Sequence, residues 1–66
     1  MQVTVNGESL GLAEGTTLGQ LLAQRDNEPR TVAVERNGAI VPRDAYGATA
    51  IMDGDTIEIV HFVGGG

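Results

Sequence analysis

Two Asn-Gly pairs, Asn6-Gly7 and Asn37-Gly38, each sit between short stretches of alternating aliphatic residues, and they constrain the fold of this chain more than any other feature. Asn and Gly tolerate the positive φ angles of the tight turns that join antiparallel strands, so each pair predicts a hairpin. In the first, Val3 and Val5 alternate with polar neighbours, and Leu10 and Leu12 continue the same period on the return leg. In the second, Thr31 to Arg36 forms a strand with Val32 and Val34 inward, and Ala39-Ile40-Val41 returns after the turn. Both hairpins need a surface to cover their apolar faces.

Glu14-Gly15-Thr16 reads as a loop, after which Thr17 caps a helix and Gln20, three residues on, closes a capping box. Leu18, Leu21, Leu22 and Arg25 fall at helical spacing and give a stripe of three leucines facing a sheet. Gly19 weakens the helix and suggests close packing. Asp26-Asn27-Glu28-Pro29 ends it, because proline disfavours helical geometry in the residue before it. Pro42 and Arg43 leave the sheet, and Arg43 to Tyr46 has room for a single helical turn. Asp53-Gly54-Asp55 is a further turn, and Thr56 to Phe62 is the strongest strand by β-branched content. The order is β-β-α-β-β-β: an α+β, β-grasp arrangement, with a mixed sheet of four to five strands and one helix across one face. Residues 1–66 form one domain in this reading, with 63–66 a flexible glycine tail.

Composition limits what such a domain does. With 66 residues, 41% hydrophobic and only one Phe and one Tyr, the core is thin and aliphatic, with no room for a deep pocket. No cysteine and a single histidine exclude disulfides, thiolate zinc and a structural metal site. A formal charge of -5 argues against nucleic acid and anionic membrane surfaces and for a basic protein partner. No apolar run approaches spanning length, and no signal-like segment opens the chain, which predicts a soluble cytoplasmic protein.

Gly64, Gly65 and Gly66 follow Val63 after the last strand, and folding does not demand them. Taken alone they describe a frayed terminus. Glycines also let a backbone thread a narrow channel, so the Gly66 carboxylate is a candidate for delivery into another protein's active site. A carboxylate is a poor electrophile, and ATP makes it reactive by adenylation. Sulfur then displaces AMP to leave a thiocarboxylate, which is anionic and nucleophilic at neutral pH. No group of this chain is placed to catalyse these steps, so the protein reads as a carrier and not an enzyme, with catalysis supplied by partners. The chain has no Lys or Cys with which to attack its own activated terminus. Along the last strand Ile57 and Ile59 face the helix, while Glu58, Val60 and Phe62 point away beside the tail. These three are a candidate docking patch, with Glu58 a rim contact to a basic partner. The competing reading is that a loop or the turn near Tyr46 covers them.

Other features carry less chemistry. His61 reads as a partly exposed edge residue with no catalytic partner. Asp53 and Asp55 are turn formers around a glycine and lack the further ligands that a calcium loop needs. Pro42-Arg43, Glu8, Glu14 and Asp44 describe a solvated surface.

Four segments together resemble the ThiS family, the sulfur carriers of thiamine biosynthesis: MQVTVNG (1–7), GTTLGQLL (15–22), VAVERNGAIVPR (32–43) and DGDTIEIVHFVGGG (53–66). The resemblance implies a ubiquitin-like β-grasp fold. It also implies a Gly65-Gly66 terminus whose Gly66 carboxyl is adenylated with ATP by an E1-like enzyme of the ThiF type. Sulfur from a cysteine desulfurase then gives the thiocarboxylate, and a thiazole synthase of the ThiG type takes the sulfur. The resemblance implies no cofactor bound by the carrier itself. Gly64 lengthens the tail beyond the glycine pair. Related readings stay open: a β-grasp sulfur carrier for molybdopterin or cysteine synthesis, a protein modifier joined to lysine through Gly66, or a passive interaction domain.

Overall fold

The computed structural model describes residues 1–62. Two hairpins form at the Asn-Gly pairs. Strand β1 (Gln2–Val5) pairs antiparallel with β2 (Glu8–Gly11), and β3 (Val32–Arg36) pairs antiparallel with β4 (Ala39–Val41). Asn6 and Asn37 take φ values of 50° and 52°, followed by Gly7 and Gly38 at 83° and 84°. These positive angles are the ones the turn requires, and Asn reaches them more readily than most residues.

Between the hairpins, helix α1 (Leu18–Gln24) starts at the predicted cap. Thr17 Oγ1 accepts from the Gln20 N–H at 3.1 Å, and Gln20 Oε1 accepts from the Thr17 N–H at 2.9 Å. The two bonds satisfy backbone donors that a helix start otherwise leaves open. The helix ends at Arg25, and Asp26 turns to φ 56°. A 3₁₀ helix, Pro29–Thr31, then takes up Thr31, so β3 begins one residue later than the sequence pattern suggests. The stretch expected to make one helical turn is a longer 3₁₀ helix, Arg43–Ala48.

The last strand, β5 (Thr56–His61), enters the middle of the sheet and gives the order β2-β1-β5-β3-β4. It runs parallel to β1 and antiparallel to β3, so the five-stranded sheet is mixed, and it stops one residue short of the expected Phe62. Leu18, Leu21 and Leu22 pack over one face against Val3, Val5, Val32, Val34, Ile57 and Ile59, with Ile51 and Tyr46 closing the layer. Each fully buried aliphatic side chain contributes about 1.5–3 kcal/mol, so a core of this size rests on few residues. Gly19 lies against the 3₁₀ segment: a Cβ placed there would meet Gly47 Cα at 3.4 Å. This is the close packing anticipated for Gly19.

Candidate functional site

The candidate site is the end of β5 and the sheet face opposite the helix. Both neighbours hold β5 through side chains as well as backbone. Where β1 turns away, Asn6 Oδ1 accepts from the Ile59 N–H at 2.7 Å and its Nδ2 donates to the Ile59 carbonyl at 3.2 Å. On the other side, Asn37 Oδ1 accepts from the Thr56 N–H at 2.9 Å, and the Asn37 N–H donates to the Thr56 carbonyl at 2.7 Å. Both turn asparagines thus extend the ladder of the strand that leads into residues 63–66. Beyond His61, the Phe62 N–H donates to the Thr31 carbonyl at 3.0 Å, which fixes where the chain leaves the sheet. Val63, Gly64, Gly65 and Gly66, the predicted tail, lie outside the described residues.

Alternation along β5 puts Ile57 and Ile59 in the core and leaves Glu58 and Val60, the latter 57% exposed, on the outer face, and Phe62, just past the strand, is 53% exposed. Tyr46 is 4% exposed and packs in the core on the helix side, so the turn near it does not cover these residues. Val60 lies opposite Ala33 of β3. On the same face Ile40 of β4 is 74% exposed, a residue that the sequence reading assigned to no surface. Its orientation follows only from the β3–β4 and β3–β5 registers, which local pattern does not supply.

His61 is exposed as expected, yet it is no edge residue. It sits on the central strand, paired with Val32, and the strand's end is what exposes it. Its Nε2 lies 2.8 Å from Asn27 Oδ1, a contact in which the ring N–H donates. Asp53 and Asp55 do more than form a turn. Asp53 Oδ1 accepts from the Gln2 N–H at 2.8 Å. Asp55 is buried and accepts from Arg36 Nε at 2.7 Å, Asn37 Nδ2 at 3.0 Å and the Met52 N–H at 2.8 Å. Burial pushes its carboxyl pKa up, but the bonds from Asn37, Met52 and Arg36 and the charge of Arg36 outweigh that and hold it below its ordinary value. Among the described residues, no group of three His, Cys, Asp or Glu side chains is placed to hold a metal ion. No helix among them is long and apolar enough to cross a membrane.

Comparison with known proteins places this geometry in a family. The ThiS family model matches residues 2–66. The sulfur carrier protein ThiS of Bacillus subtilis is 43% identical over 63 residues, covering 94% of this chain and 96% of that protein. A thiazole synthase of Magnetococcus marinus is 48% identical over 66 residues, all of this chain but only 20% of that protein, so the chain spans a fifth of its length. The crystal structure of the thiamine biosynthesis protein ThiS from Geobacter metallireducens superposes with a TM-score of 0.83 at 39% identity, covering 100% of both chains. The β-grasp arrangement, the turn and helix motifs and these matches over the full chain agree, and the chain belongs to the ThiS family.

Proposed function

We propose that this chain is a sulfur carrier for thiazole formation in thiamine biosynthesis, a co-substrate of partner enzymes and not itself an enzyme. The observation that carries the reading is family membership over the whole chain, including a relative of nearly equal length named as a sulfur carrier. Matches to thiazole synthases point to the same pathway, since in them a ThiS-like segment makes up a fifth of the protein. The geometry supports it: β5, the last described strand, is held at the centre of the sheet, with Val60 exposed on it and Phe62 exposed just past its end.

The Gly66 carboxylate attacks the α-phosphorus of ATP in the active site of an E1-like, ThiF-type enzyme, giving the acyl-adenylate and pyrophosphate. A persulfide sulfur originating from a cysteine desulfurase displaces AMP to give an acyl disulfide. A thiol then attacks the outer sulfur, leaving the thiocarboxylate and carrying the persulfide's own thiol away as a disulfide. A ThiG-type thiazole synthase receives that sulfur in exchange for an oxygen from its substrate or from water, and the carrier returns to the carboxylate. Gly64 and Gly65 admit the terminus to a narrow channel, with Val63 at its mouth. Val60, Phe62 and Glu58 form the docking contact, two apolar side chains beside one carboxylate. The chemistry belongs to the partners, and the compartment is the cytoplasm.

The test is ATP–pyrophosphate exchange with the ThiF-type enzyme of the same genome. Wild-type chain supports exchange and the chain lacking Gly66 supports none, while both unfold at the same temperature. Equal exchange by the two would refute the assignment of Gly66.

A further inference from the structure

Glu35 and Glu58 are direct partners across the antiparallel β3–β5 pair, on the open face of the sheet. Side chains so paired have Cβ atoms about 5 Å apart, and like charges there are destabilising. Nothing in the described residues relieves this. The ion pairs there are Met1 with Glu14 and Arg36 with Asp55, and Arg36, though next to Glu35 in sequence, turns to the other face to meet Asp55. On β4, Ile40 is the cross-strand partner of Glu35 and is 74% exposed. On β5, Val60 follows two residues after Glu58 on the same face, and Phe62, just past the strand, is exposed as well. The two carboxylates are therefore framed by exposed apolar side chains, with repulsion at the centre of the sheet.

We infer that Glu35 and Glu58 jointly receive one guanidinium of the activating partner, with Ile40 on one side and Val60 and Phe62 on the other packing against apolar side chains around it. The proposal rests on the carrier reading and adds to it two residues, Glu35 and Ile40, and the chemistry of the partner's contact. A planar guanidinium offers donors to two carboxylates at once, and a cation removes the repulsion that the free chain carries. A second copy of this chain does not fit, because it brings the same two carboxylates to the face. A metal ion does not fit either, for want of a third ligand among the described residues.

The test compares wild type, the double variant Glu35→Gln with Glu58→Gln, and a control, Glu8→Gln with Asp44→Asn, which removes the same charge from exposed positions elsewhere. ATP–pyrophosphate exchange with the ThiF-type enzyme is read at low and high salt, with thermal unfolding of each chain alone. The Glu35/Glu58 variant is expected to raise KM about tenfold or more at low salt with kcat unchanged, to lose most of the salt dependence, and to unfold no earlier than wild type. The control keeps KM within about twofold of wild type. An unchanged KM, an equal rise in the control, or earlier unfolding of the Glu35/Glu58 variant overturns the inference and leaves the carrier reading intact. Failure of wild type itself to support exchange refutes the carrier reading and takes the inference with it.

Discussion

The side-chain amide of Asn6 stands in for a strand residue against Ile59, taking the Ile59 N–H at 2.7 Å and giving a hydrogen to its carbonyl at 3.2 Å. The parallel register between β1 and β5 runs only through Thr4 with Thr56 and Val5 with Ile57. Asn6 thus continues the ladder past the point where β1 turns back, and holds the part of β5 nearest the tail.

Replacing Asn6 by glycine keeps the positive φ of the turn and removes only the two amide bonds. The Asn6→Gly variant is expected to lose about 1–3 kcal/mol, read from urea unfolding, because the Ile59 backbone groups lose their partner. A variant as stable as wild type would show that the turn conformation, and not the amide, is what Asn6 supplies.

Asp55 ties three segments together: Arg36 at the end of β3, the Asn37 turn and the Met52 backbone. Its carboxyl pKa is lowered in the folded chain from an unfolded value of 3.8. A depressed folded value makes the unfolded chain the stronger proton binder, so the stability from Asp55 is present above pH 3.8 and is lost as pH falls from there through the folded value. Asp55→Asn should cost about 2–3 kcal/mol at pH 7, since Arg36 loses its carboxylate, and should flatten the acid limb of stability against pH. An unaltered acid limb would assign that limb to other carboxylates.

Leu21 is fully buried at the centre of the helix stripe. Leu21→Ala is expected to cost about 2–5 kcal/mol, enough to leave so small a domain largely unfolded at 37 °C. Circular dichroism on heating checks it, and a change below about 1 kcal/mol would mean the core collapses around the gap.

Phe62 is 53% exposed beyond the last strand, and its backbone N–H, not its ring, makes the bond to Thr31. Phe62→Asp should leave thermal stability within about 0.5 kcal/mol while weakening binding to the ThiF-type enzyme by about 1–2 kcal/mol in a titration. Unchanged binding would remove Phe62 from the docking surface.

Local features were readable from the residues because local physics sets them. The Asn-Gly pairs gave both hairpins, the Thr17 to Gln20 box gave the helix start, and alternation gave the faces of Ile57, Glu58, Ile59 and Val60. Long-range registers were not readable. That β5 inserts between β1 and β3 depends on contacts across more than 50 residues, such as Asn6 with Ile59. Without that register, Glu35 does not meet Glu58 and Ile40 has no face. Asp55 read as a turn residue because its partners, Arg36 and Asn37, are 19 and 18 residues away in sequence. The glycine segment was legible as chemistry through the mobility of its residue type, and lies outside the described structure.

The most direct measurement is the intact mass of the chain recovered from cells that co-express the ThiF-type enzyme and a cysteine desulfurase. Carrier chemistry predicts a species in which one oxygen at the C-terminus is exchanged for sulfur, absent when Gly66 is deleted. Unmodified chain alone, or adducts to lysine of other proteins in place of the thiocarboxylate, would contradict it.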